Sequence, residues 1–200
     1  MPTGYSNQTF QNVDARLNKA DDAAIGQSVS SGTGAQRFLG QLGAKLYLGP
    51  SEVRYDSATG TLYGGIYQYV QTKAASTIAP ARGLLCYWVA ATPSSYVVTP
   101  DDQGGTADIA GVYLNAPTKG NYCWIQIAGV ASVKCIASLT RTAGIGDVGI
   151  AVAATADVDN IDSNDAINGD NLNAVACIFI EAPANGAIKL ARLWAPRWNF

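Results

Sequence analysis

From Lys45 onward the chain is cut into short β-favouring runs by clusters of Gly, Pro, Asn and Asp, at 66–71, 84–91, 96–99, 109–114, 122–128, 131–139, 148–153, 175–181 and 188–194. Short strands between turn-formers, with no long amphipathic helix pattern, describe an all-β domain, a single β-barrel or β-sandwich. VRYD, SATG and TLY in succession at 53–63 add a hairpin signature. Within GNYCWIQIAGVASVKC, residues 120–135, alternation puts Cys123, Ile125 and Ile127 on one face and Tyr122, Trp124 and Gln126 on the other. Gly129 is expected to interrupt that strand with a bulge or a close backbone approach, after which Val133 and Cys135 resume the apolar row.

Residues 1–43 differ in kind. They are rich in Asn, Gln, Ser, Gly and Asp, with scattered apolar anchors, and are expected to form an N-terminal arm, extended or partly helical. Val13, Leu17 and Ala20 fit one face of a short helix that orders only against a partner. A terminus that never orders is the competing expectation. Residues 44–200 make the β-rich domain, a length suited to one sizeable core.

Charged residues are only 14% of the chain, against about 25% in ordinary domains. So neutral a surface favours an assembly in which neighbours cover part of it. The net charge of −2 provides no clustered Lys/Arg excess for phosphate, which argues against nucleic acid. Lys189, Arg192 and Arg197 are the densest basic group, and their interleaving with Leu193, Trp194 and Trp198 suits a strand or an interface. The opening MPTGYSNQTF has no basic head or apolar core of a secretory signal, and the apolar run at 84–91 is too short to span a bilayer. The expectation is a protein made in a cytoplasm, with no membrane partner.

Cys86, Cys123, Cys135 and Cys177 each sit in an apolar run without metal-knuckle or redox spacing, so buried free thiols are expected, a Cys86–Cys177 bridge being left open. The chain has no histidine, which removes Ser-His-Asp and Cys-His catalysis and histidine metal sites. A carboxylate-only hydrolase stays formally open, yet only Glu52 and Glu181 are glutamates and nothing singles out an acid and a nucleophile.

Two motifs invite a ligand. GIGDVG at 144–149 satisfies G-x-G-x-x-G, but a dinucleotide site needs a helix opening at the last glycines, and IAV reads as a strand, so a tight turn is expected. DVDNIDSNDAINGDN at 157–171 resembles a calcium loop until the fifth and sixth positions prove to be Ile161 and Asp162. A solvated loop is expected there. No cofactor and no metal are implied.

The succession YQYVQ at 67–71, ARGLLCYW at 81–88, AGV at 110–112, GNYCWIQIAGVA at 120–131 and Gly146-Asp147 resembles the auxiliary head proteins of tailed bacteriophages, also called decoration or cement proteins. The likeness covers the middle half of the chain. It implies a β-rich, non-enzymatic virion protein that binds the outer surface of the major capsid protein lattice as a homo-oligomer, commonly a trimer, and stabilises the mature head. It would be assembled in the host cytoplasm. The long N-terminal region and the aromatic tail depart from the simpler members.

Contact candidates are the arm anchors Phe10, Val13 and Leu17 and the tail residues Trp194, Arg197, Trp198 and Phe200, since Trp and Arg are enriched among interface hot spots. Closing the domain's own core is an equal alternative for the tail. A carbohydrate- or receptor-binding virion protein is the second functional reading, from Tyr63, Tyr67, Tyr69 and Trp88 as aromatics able to stack on sugars.

Overall fold

The computed structural model describes residues 42–49, 54–56, 60–89, 95–101, 109–140, 142, 144–152, 155–161 and 175–193. Every element among them is a strand: β1 (Lys45–Leu48), β2 (Arg54–Asp56), β3 (Gly60–Leu62), β4 (Gly65–Thr72), β5 (Leu85–Trp88), β6 (Val97–Thr99), β7 (Ile109–Tyr113), β8 (Tyr122–Lys134), β9 (Val148–Ala151), β10 (Val158–Ile161), β11 (Val175–Phe179) and β12 (Ile188–Leu193). The fold is all-β, as its punctuation predicts. β2 and β3 form the expected hairpin as a sheet of their own, with Asp56 opposite Gly60.

The remaining ten strands form one sheet that closes on itself. β4 pairs with β6 on one side and β8 on the other, and the order β6-β5-β7-β8 completes a five-stranded barrel. β8 then continues into a second ring, β8-β12-β11-β9-β10. Its return contact is a parallel bridge between Cys135 and Val158, reinforced by the Ile136 N–H on the Val158 carbonyl at 3.0 Å. Closure leaves fewer open strand edges for unwanted pairing.

β8 belongs to both rings because it is thirteen residues long and changes partners midway. Its first half pairs with β4 and β7, and its second half, from Gly129 to Lys134, pairs with β12. The strand is not interrupted at Gly129, but the close backbone approach expected there is present. Gly129 takes φ +96° inside a continuous strand, where an added Cβ would overlap the Gly64 carbonyl. A glycine there lets two backbones pass closely while the ladder is kept. The register slips beside Ile127 instead, between the pairs Ile66–Ala128 and Tyr67–Gln126.

The alternation along β8 holds end to end. Cys123, Ile125, Ile127, Ala131, Val133 and Cys135 all lie in one buried cluster, which takes in Val70, Cys86 and Val112 of the barrel and Val158, Cys177 and Phe179 of the second ring. Burial of each large aliphatic or aromatic side chain contributes about 1.5–3 kcal/mol, so this shared core is what joins the rings. Two backbone bonds add to the seam: Leu85 N–H to the Ala156 carbonyl at 2.8 Å, and Lys134 N–H to the Gly83 carbonyl at 2.9 Å.

The outward face of β4 and early β8 carries a second apolar layer. Tyr67, Tyr69 and Trp124 are buried there with Leu48 and Leu114, and Leu42, Ala44 and Leu46 pack against them. The Tyr69 and Trp124 rings lie 5.4 Å apart between centroids, and Tyr69 stacks on Tyr122 at 6.1 Å. Gly43 N–H donates to the Tyr69 carbonyl and Tyr69 N–H to the Ala44 carbonyl, fixing the chain just before β1 over this layer. Apart from its last two positions, 42 and 43, the expected N-terminal arm lies outside the described residues.

The acidic stretch at 157–171 departs from expectation. Val158–Ile161 is strand β10, and Asp157, Asp159 and Asn160 are buried. Polar side chains are tolerated because each has a local partner. Asp157 pairs with Lys134 at 3.3 Å, Asp159 accepts from the Thr140 hydroxyl and N–H, and the Asn160 amide donates to Asp147 at 2.8 Å. Positions 162–171 lie outside the described residues.

Candidate interaction surface

Among the described residues of the motifs singled out in the sequence, no pair of groups is arranged for chemistry. At GIGDVG, strand β9 follows the glycines directly. Asp147 accepts the Gly144 N–H and the Asn160 amide, while Gly146 N–H donates to the Phe179 carbonyl and Phe179 N–H to that of Asp147. The segment is a pinned turn, as expected. The Cβ of any other residue at Gly149 would run into the Cys177 sulfur and Val158, which explains a glycine inside the second ring. Among the described residues no group of three or more His, Cys, Asp or Glu is placed to hold a metal.

All four cysteines are buried and free, so the Cys86–Cys177 bridge is not formed. Desolvation raises every one of their pKa values, that of Cys177 to about 12, with a neighbouring Cys135 adding to the rise. Thiols held protonated in this way are poor nucleophiles.

The aromatics proposed for sugar stacking are mostly not available. Tyr67 is 0% and Tyr69 is 3% exposed, because β4 is packed on both of its faces. Trp88 is half-buried against the edge of Tyr96, and Tyr63 is half-buried, its carbonyl receiving the Tyr67 hydroxyl. The arm anchors Phe10, Val13 and Leu17 and the tail residues Trp194, Arg197, Trp198 and Phe200 lie outside the described residues.

The structure brings together a surface that the sequence reading did not single out. Directly opposed residues in an antiparallel ladder share a face. With Phe179, Ala191 and Ala131 turned into the core, the ladders Ile178–Arg192, Arg192–Val130, Leu190–Ser132 and Val148–Ile178 place Val130, Val148, Ile178 and Leu190 on the outside of the second ring. Ile188, opposite Lys134, lies on the same face and is 42% exposed. Ile180 continues the row from Ile178 at 38% exposure, its N–H donating to the Leu190 carbonyl. Ile145, at the apex of the pinned turn, is 75% exposed.

Charge on this outer face is sparse. Lys134 is paired with Asp157, and Glu181 accepts the Leu190 N–H at 3.0 Å. Arg192, between Val130 and Ile178 in the ladder, is exposed and has no ion pair among the described residues. A sequence signal for this face did exist. In ACIFI at 176–180 both parities are apolar, which means either a strand buried on both faces or an outer face meant to be covered.

No protein-family model matches the sequence, and no curated protein matches it. Among solved structures, the N base of head fiber gp8.5 in bacteriophage phi29 aligns with 67% of this chain and 99% of that chain, at 12% identity and a TM-score of 0.36. A score this low falls short of a shared fold.

Proposed function

We propose that this chain is a structural protein of a tailed-phage head, a cement or decoration protein that binds the outside of the major capsid protein lattice and stabilises the mature shell. The observation that carries the reading is the apolar, charge-poor outer face of the second ring, in a chain whose middle half resembles the auxiliary head proteins. An exposed apolar sheet face without a cover is a liability for a free monomer and a contact surface in an assembly. Lattice binding is also a sufficient mechanism for stabilisation. A ligand that binds the mature shell and not its precursor shifts the equilibrium by mass action, and modest contacts sum over many copies.

A homo-oligomer, with a trimer favoured, belongs to the same reading, as does location on the outer surface of the virion. The carbohydrate- or receptor-binding alternative loses most of its support with Tyr67 and Tyr69 buried. The test is cosedimentation of the full chain with mature heads and with unexpanded shells, titrated to saturation. Saturable binding to mature heads at a fixed ratio to the capsid subunit is the expected result. Binding to neither would remove the reading.

A further inference from the structure

We infer that Asn185-Gly186 is a deamidation site held shut by the fold, and that its modification loosens the closure of the second ring. Asparagine followed by glycine is prone to spontaneous loss of the side-chain amide, because the second residue has no Cβ to hinder cyclisation. The Gly186 backbone nitrogen attacks the Asn185 Cγ, the Cγ–Nδ2 bond breaks, and Nδ2 leaves as ammonia with the proton that the backbone nitrogen gives up. One water then opens the succinimide at either carbonyl, to aspartate or to isoaspartate. No other reactant is needed.

Both residues are exposed, so water reaches them, yet each group that must move is held. Ala187 N–H donates to the Ala184 carbonyl at 3.0 Å, and Gly186 has φ +66° while Asn185 does not have a positive φ. That is a type II turn with Asn185 and Gly186 at its centre. The turn calls for glycine, the residue that also makes Asn185 reactive, but it rotates the attacking nitrogen away from the position eclipsing Cβ that cyclisation requires. The Gly186 N–H, which must give up its proton, donates to the Ile136 carbonyl at 2.8 Å. Asn185 Oδ1, bonded to the carbon under attack, accepts the Leu139 N–H at 3.0 Å. Reaction therefore requires the turn to leave residues 136–139.

The same turn belongs to the seam of the second ring. Cys135 N–H donates to the Ala187 carbonyl at 2.8 Å, so residues 135 and 136 are tied both to the turn and, through the Cys135–Val158 bridge and the Ile136 N–H, to β10. Isoaspartate routes the main chain through the side-chain carbonyl and adds one atom to the turn. The bonds from Gly186 and to Ala187 then lose their register, and with them the support of the ring's closure.

The full chain carrying Asn168→Gln has this one Asn-Gly left. Kept at mildly alkaline pH with and without denaturant and mapped by peptide mass spectrometry, it should convert Asn185 at least about tenfold more slowly when folded, with the Gly186 amide protected from hydrogen exchange. The isoaspartate form, refolded and purified, should melt below the parent and exchange faster at Cys135 and Ile136. Asn185→Asp, whose carboxylate still accepts the Leu139 N–H, should match the parent. Equal conversion with and without denaturant would overturn the guard. An Asn185 that survives in denaturant while Asn168 of the unsubstituted chain converts would remove the site. An isoaspartate form that melts and exchanges like the parent would separate the site from the ring's closure.

Discussion

Gly65 stands directly opposite Gly129 where β4 leaves β8 and the ladder passes to β12. A methyl group at Gly129 would meet the Gly64 carbonyl and the Gly65 Cα, and the positive φ at this position disfavours any other residue. Backbone strain of about 1–2 kcal/mol adds to overpacking of about 1–3 kcal/mol. Gly129→Ala should therefore lose at least about 2 kcal/mol, a fall in Tm of at least about 5 °C for a chain of this size. Thermal unfolding followed by circular dichroism measures it, and an unchanged Tm would mean that the strands do not approach so closely.

The four buried thiols should be inert to an aromatic disulfide reagent in the native protein at mildly alkaline pH and should all react once the chain is denatured. Their stability effect has a definite sign. Burial raises the folded pKa above the unfolded value, so the unfolded chain loses its protons first. The contribution is intact below the ordinary thiol value of 9.0 and erodes as pH rises toward about 12, the folded value for Cys177. Each such group costs up to about 1.4 kcal/mol per pH unit within its window. Denaturant midpoints should fall steadily across that range, and a flat profile would place the thiols in water.

Asp101 and Lys119 hold one turn from opposite sides. The Asp101 carboxylate accepts the N–H groups of Thr77 and Ile78 at 2.6 and 2.7 Å, while the Lys119 ammonium donates to the Ser76 and Thr77 carbonyls. Asp101→Ala removes the acceptor of two N–H groups, that of Ile78 part-buried, and should cost about 1–3 kcal/mol, with faster hydrogen exchange at the Thr77 and Ile78 amides. Lys119→Met leaves the exposed Thr77 carbonyl to water but the carbonyl of buried Ser76 without its donor, and should cost about 1 kcal/mol. Equal effects of the two substitutions would count against the carboxylate as the principal restraint.

The local elements were legible because local physics decides them. Alternation in YCWIQI put Cys123 and Ile125 on one face, which the structure turns into the core, and β-strand propensity placed β4, β7, β11 and β12 within a few residues of their observed bounds. β10 was not legible. Its sequence, VDNI, looks like solvated loop until Lys134, Thr140 and Asp147, each distant in sequence, are brought to its polar groups. The outer face was missed for a related reason. Ile178 and Leu190 could face the core or the outside, and only the long-range ladder from β8 through β12 to β9 puts them on the outer face. Of the two readings open for Gly129, a bulge or a close backbone approach, the close approach holds, and the strand runs on through it because glycine permits close passage without ending the ladder.

The sharing of β8 also sets the order in which the protein can be built. Every strand of the first barrel lies at or before β8 in the sequence, and every other strand of the second ring lies after it. During synthesis the barrel can therefore close as soon as β8 has emerged, with the stretch from Gly129 to Lys134 left as a bare edge. That edge is the template on which β12, the last of the described strands, completes its ladder. A ribosome stalled between the two would release a chain with one finished barrel and one adhesive strand, so prompt arrival of β12 is what keeps each nascent copy from pairing with its neighbour.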